Sequence, residues 1–166
     1  MDDELSVRAG EFRDILAIQA VARSAWAATY AEIIPDDVQR QLLGEWYSAP
    51  ALERALRAED SIVLVATSQQ TVLGFAHFVR RSDESAELTR IYVLPAEHNR
   101  SIGSRLLEAG VTRLKTLGVG RLTVAVEQKN AVGRRFFQRK GFSEVSQRRI
   151  DLQGHALALV ECHRPI

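Results

Sequence analysis

The chain has 166 residues with 22 Lys and Arg against 21 Asp and Glu, a formal net charge of +1. That length predicts one domain, residues 1–166, with a sizeable core. The even charge balance offers no footprint for nucleic acid or a membrane surface, and no apolar run nears the roughly 20 residues of a spanning helix.

The opening residues, MDDELSVRAG, are acidic and lack the apolar stretch of a secretory signal. A single cysteine, Cys162, has no partner for an internal disulfide, so the expected compartment is the reducing cytoplasm. Its apolar-alternating neighbourhood reads as a buried structural thiol. Leu5–Arg8 alternates as a short strand. From Glu11 to about Ala27, apolar residues recur at helical spacing, and Pro35 bars continuation. Asp36 and Asp37 open a second helix to about Trp46, and Pro50–Arg57 reads as a further helical turn or two. Ser61–Thr67 and Val72–Val79 form a hairpin across SQQ, and Glu84–Val93 extends the antiparallel series to Pro95.

Ile102–Leu117 is the clearest helix, with Ile102, Leu106, Gly110 and Leu114 in one stripe and Gly118-Val119-Gly120 at its end. Arg121–Val126 is a strand reached through that helix, so it lies parallel to the one ending at Val93. A fourth helix covers about Ala131 to Lys140, and two strands joined near Gln153-Gly154 complete the chain. The expected class is α+β: a mixed, mostly antiparallel sheet of about seven strands, a central β-α-β crossover and four helices.

The chemistry sits in ELTRIYVLPAEHNRSIGSRLL, a strand, a loop and a helix start. A tight turn into a helix presents unpaired N–H groups at the positive end of the dipole, where a pyrophosphate binds without special side chains. Arg100 adds a charge beside that turn. Alone, this pattern is equally an ordinary helix start.

One strand later comes VEQKNAVGRRFFQRKGF, Val126–Phe142. Together the two segments resemble the Gcn5-related N-acetyltransferase (GNAT) superfamily. Its cofactor loop reads Q/R-x-x-G-x-G/A after a strand ending V-x-P, and its second signature is N-x-x-A-x-x-F-Y-x-x-x-G-F. The resemblance covers Glu87–Phe142 and implies the GNAT fold, acetyl-CoA as co-substrate and no metal. It places Ile91, Tyr92 and Val93 along the cofactor's pantetheine arm, the first and last through backbone groups. His98, Asn99, Arg100, Ser101, Ile102, Gly103 and Ser104 surround the pyrophosphate. Asn130 binds the pantetheine, caps the next helix, or does both.

Four positions depart from the family pattern: His98 for Gln or Arg, Ser101 for the first Gly, Gly133 for Ala, and Phe137 for the Tyr that protonates the departing thiolate in many relatives. A phenyl ring has no proton to give, so Phe137 is left to pack beside the thioester arm. Tyr30 and Tyr92 are the remaining hydroxyls considered for that task.

Glu87 is the candidate base. Alternation puts it on one face with Thr89, Ile91 and Val93, toward the acetyl site; its other reading is a solvated carboxylate in an acidic run. His77 reads as a packed strand histidine. Arg148 and Arg149, adjacent on a strand, face opposite ways, so one of them at most lines a site. Trp26 and Tyr30 are candidate acceptor walls. Glu32, Asp36 and Asp37 either attract a cationic amine or, for the Asp pair, cap a helix.

The resemblance implies N-acetylation of a small primary amine or polyamine by direct attack in a ternary complex. A protein N-terminus or lysine, an aminoglycoside-type acceptor, or a non-catalytic acyl-CoA sensor are the alternatives. The edge of the last two strands could pair two copies of the chain.

Overall fold

The computed structural model describes residues 4–166. In chain order the elements are β1 (Leu5–Ala9), α1 (Ile15–Thr29), α2 (Asp36–Trp46), α3 (Ala49–Arg57), β2 (Ser61–Ser68), β3 (Thr71–Arg80), β4 (Ser85–Val93), α4 (Ile102–Thr116), β5 (Arg121–Glu127), α5 (Ala131–Arg139), β6 (Ser143–Leu152) and β7 (His155–Pro165). The strands form one sheet in the order β1-β2-β3-β4-β5-β7-β6, antiparallel throughout except where β4 meets β5. This is the expected α+β sheet with its crossover through α4.

Among the described residues there are five α-helices rather than four, because the turn expected at Pro50 is a full helix. Ser48 caps it by accepting from Ala51 N at 3.2 Å, and Pro50 sits in the first turn, where no N–H is needed. The β2–β3 hairpin closes on Gln69 and Gln70, both at positive φ (50° and 67°). Those left-handed values match the twist of the paired strands, and here two glutamines adopt them where Asn-Gly is usual.

Each face of the sheet carries its own core. On one face α4 packs over Leu64, Ala76, Phe78 and Leu88 through Ile102, Leu106, Leu107 and Leu114. Gly110 brings that helix down onto the sheet: a Cβ there would stand 2.1 Å from the Phe78 ring. Gly118, at φ 84°, ends α4, with Val119 N returning to Leu114 O at 3.1 Å. Cys162 is buried in this core. On the other face, α1, α2 and α3 cover Val65, Phe75 and Leu157 with Ile18, Trp26, Leu42 and Leu52. Among the described residues no helix is long and apolar enough to cross a membrane. Strand β6 is the outer strand, and Ser143 to Arg149 are all exposed.

His77 lies on the α1 side of β3, buried, with Nε2 3.0 Å from Ser61 Oγ. Burial lowers its pKa from 6.5 to about 4, and Arg90 and Arg81 push the same way. As pH falls from 6.5 the unfolded chain takes up this proton while the folded chain does not. The contribution of neutral His77 is therefore full above 6.5, declines toward pH 4 by up to about 3 kcal/mol, and changes no further below. Urea unfolding of His77→Gln across that range should lack this part of the slope.

Candidate functional site

Strands β4 and β5 pair only from Ser85–Leu88 to Arg121–Val124. Beyond these residues they part, leaving Thr89–Val93 without β5 ladder bonds. Leu94 N donates to Leu73 O at 2.8 Å, on the β3 side. Backbone direction alternates along a strand, so the groups of Ile91 and Val93 point into the gap. The Val93 carbonyl there accepts from His98 Nε2 at 3.3 Å.

A bulge changes which side chains share a face. His77 pairs with Arg90 but Phe78 with Leu88, so Thr89 is an extra residue in β4. Ala86, Leu88, Ile91 and Val93 consequently meet the α4 core, whereas Tyr92 meets the α1 core. The unbroken alternation expected for Glu87, Thr89, Ile91 and Val93 is thus corrected: Glu87 lies on the opposite face from Ile91 and Val93. It also lies in the closed part of the pair, opposite Thr123, with Oε1 accepting from Arg81 Nη2 at 2.6 Å and Nε at 3.0 Å. The structure does not bring Glu87 to the gap.

After Val93, a 3-10 turn over Pro95–Arg100 leads to Ser101 at φ 57°, and α4 starts at Ile102. Arg105 N makes the first intrahelical bond, to Ser101 O at 3.1 Å. The N–H groups of Ile102, Gly103 and Ser104 precede it and have no helical acceptor. Asn99 is exposed beside them, and Arg100 contacts Glu97 at 3.2 Å. A serine held in the left-handed region is strained, and glycine is not. Ser101→Gly should raise stability by about 0.5–1 kcal/mol, seen as a higher urea midpoint, without removing any backbone donor.

Across the gap, Asn130 caps α5, its Oδ1 accepting from Gly133 N at 3.0 Å. Its Nδ2 has no protein acceptor among the described residues. A Cβ at Gly133 would lie 2.5 Å from that Nδ2, so glycine is what lets the cap lie over the first turn. Phe136 covers Gly103 of α4. Phe137 is buried between Phe136 and Phe142, with ring centroids 5.1 and 5.3 Å away.

On the α1 face, Trp26 is buried at the centre of an aromatic group, its ring 5.0 Å from that of Tyr30 and 6.3 Å from that of Tyr92. The Tyr30 and Tyr92 hydroxyls are 3.0 Å apart. Burial raises the pKa of both, so both keep their protons at neutral pH. Buried Gln39 sets the turn after α1, donating through Nε2 to the carbonyls of Tyr30 (3.1 Å) and Ile34 (2.9 Å). Asp36 and Asp37 occupy the first turn of α2 and are exposed.

One carboxylate reaches this region. Glu127, the last residue of β5, is 6% exposed, and its charge adds to the raised pKa of Tyr30. Its Oε2 accepts from the backbone N of Lys129; among the described residues it makes no salt bridge, and its charge helps raise the pKa of nearby Arg134. Glu127 lines a pocket of about 210 Å³ together with Ile33, Arg149 and His155. No group of three His, Cys, Asp or Glu among the described residues is placed to hold a metal.

Residues 19–142 match the acetyltransferase (GNAT) family. The chain belongs to that family. It is 28% identical to a spermidine N(1)-acetyltransferase of Thermoplasma acidophilum over 142 residues, 83% of this chain and 88% of that protein. The crystal structure of PaiA N-acetyltransferase from Thermoplasma acidophilum, in complex with coenzyme A, superposes with a TM-score of 0.84 at 25% identity, covering 98% of this chain and 99% of that one. The ribosomal-protein-S18-alanine N-acetyltransferase of Escherichia coli shares the fold, with a TM-score of 0.76 at 21% identity over 98% and 94% of the two chains.

For a GNAT chain the gap joins two different surfaces: free N–H groups and a helix start on the α4 side, hydroxyls and a carboxylate on the α1 side. The turn can take a pyrophosphate and the β4 edge an amide-bearing arm, since each offers unpaired backbone groups. Sequence reasoning passed over Glu127. Its signal was present: Leu122, Val124 and Val126 face one core, which leaves a lone charge at the strand's end facing the other way.

Proposed function

We propose that this GNAT protein moves an acetyl group from acetyl-CoA to the nitrogen of a small primary amine, by direct attack within a ternary complex. The observation that carries this reading is the parting of β4 and β5, which frees the β4 edge at Ile91 and Val93 beside the start of α4. Bound there, acetyl-CoA supplies an activated thioester. The N–H groups of Ile102, Gly103 and Ser104 hold its pyrophosphate, and Asn130 Nδ2 and the β4 edge at Ile91 and Val93 hold its arm. A backbone N–H on that edge also steadies the thioester carbonyl oxygen as negative charge develops.

An alkylamine with a pKa near about 10.4 arrives protonated and must lose a proton before it attacks. Glu127 is the group that receives it, directly or through one water. The Tyr30–Tyr92 pair, kept protonated by burial, supplies a proton on the departure side in place of the hydroxyl that Phe137 lacks. Trp26 and Tyr30 form the apolar wall. Similarity to a spermidine acetyltransferase supports an amine acceptor and names a polyamine as one candidate.

Phe137 favours a second reading, a module that binds acyl-CoA without turnover. Incubation with acetyl-CoA and an amine panel, following free thiol release alongside calorimetric binding, separates the two. Turnover on any amine establishes the enzyme. Tight binding with no turnover leaves the sensor, and no binding removes both.

A further inference from the structure

Resting on that reading, we propose that the acceptor is an amine that also carries an anionic group, and that Arg149 and Lys129 receive the anionic end while Glu127 receives the ammonium. The pocket at the end of β5 holds about 210 Å³, below the roughly 300 Å³ of sites for drug-sized ligands. Ile33, Glu127, Lys129, Arg149, His155 and Leu157 are among the residues that line it. Glu127 is the only carboxylate among them, and Lys129, Arg149 and His155 are the bases.

Lys129 and Arg149, both exposed, have no carboxylate partner among the described residues, unlike three nearby arginines. Arg148 pairs with Glu161 at 2.6 Å, Arg134 with Glu144 at 2.8 Å and Arg164 with Glu108 at 2.9 Å. Adjacent strand positions face opposite ways, so Arg148 goes to Glu161 while Arg149 lies opposite Ala158. Gln128 and the small Ala156 and Ala158 complete the lining, and the two alanines leave room there. His155 is fixed by donating from Nε2 to Ile33 O at 3.1 Å, so it shapes the wall.

One buried carboxylate beside two unpaired cations is complementary to a ligand with a single ammonium and a single anion. A polyamine would set its further ammonium groups against Lys129 and Arg149, a like-charge contact that discriminates against it. The guanidinium fork suits the oxygens of a carboxylate or phosphonate.

The test uses the full chain, acetyl-CoA and four amines: butylamine, spermidine, 4-aminobutyrate and 3-aminopropylphosphonate. At least one anionic amine should exceed butylamine and spermidine in kcat/KM by about tenfold or more, the size of a charge-assisted hydrogen bond, and the two anionic arms tell carboxylate from phosphonate. In Arg149→Gln, KM for the preferred anionic amine should rise on the order of 10- to 100-fold, at least tenfold more than it does for butylamine. Spermidine ahead of both anionic amines, or equal KM effects on butylamine, overturns the proposal while the acetyltransferase reading stands. No thiol release with any of the four overturns both.

Discussion

Glu127→Gln should lower kcat/KM for an alkylamine acceptor by on the order of 10²–10⁴-fold at neutral pH, the usual contribution of a general base. The fold should survive, because a Gln side-chain oxygen still accepts from Lys129 N. The decisive readout is the pH profile. An amine that must shed its own proton reacts in proportion to its neutral fraction, which rises tenfold per pH unit up to about 10. The deficit of the variant should therefore shrink as the pH is raised. Glu87→Gln is the control: it breaks an exposed pair with Arg81, worth about 0–1 kcal/mol in stability, and should leave the profile in place. A large loss in Glu87→Gln with a near-normal Glu127→Gln would return the base to β4.

Gly110→Ala carries the largest expected effect on stability. The added methyl would stand 2.1–2.7 Å from three carbons of the Phe78 ring, which is fully buried. Neither the ring nor the helix can yield without opening the core that α4 closes, so the cost should be at least about 2–3 kcal/mol. For a chain of this size that corresponds to a fall in Tm of roughly 4–12 °C, measurable by thermal unfolding. Because α4 begins at the pyrophosphate turn, a helix lifted off Phe78 should weaken acetyl-CoA binding as well. Phe78→Leu in the same chain should recover part of the loss, and the double-mutant cycle isolates the contact. An unchanged Tm would mean that α4 does not sit as close to the sheet as described.

The strands and the α4 crossover were legible in the sequence because periodicity and glycine punctuation are local signals. The turn into α4 was legible too, since its free donors are backbone groups and Ser101 costs only strain. What escaped was non-local. The bulge at Thr89 exists only in the pairing of β4 with β3, and it inverts the facing of every later residue of that strand. Reading β4 with unbroken alternation put Glu87 on the face of Ile91 and Val93, and the extra residue moves it to the other face. Glu127 was overlooked because its surroundings come from distant parts of the chain, Ile33 after α1, Arg149 of β6 and His155–Ala158 of β7. The third helix was underestimated because its signals, Ser48 and Pro50, lie before any apolar periodicity begins.

That bulge has a consequence for how such a protein changes over time. After Thr89, β4 speaks to the α4 side of the gap through its main chain, which every amino acid shares, and to the α1 side through side chains such as Tyr92. The two conversations are insulated from each other. Substitutions can therefore remodel the α1 side while the main-chain edge beside α4 passes unaltered from one ancestor to the next, and the vulnerable event is a single-codon deletion near Thr89, which would exchange the two sides at a stroke.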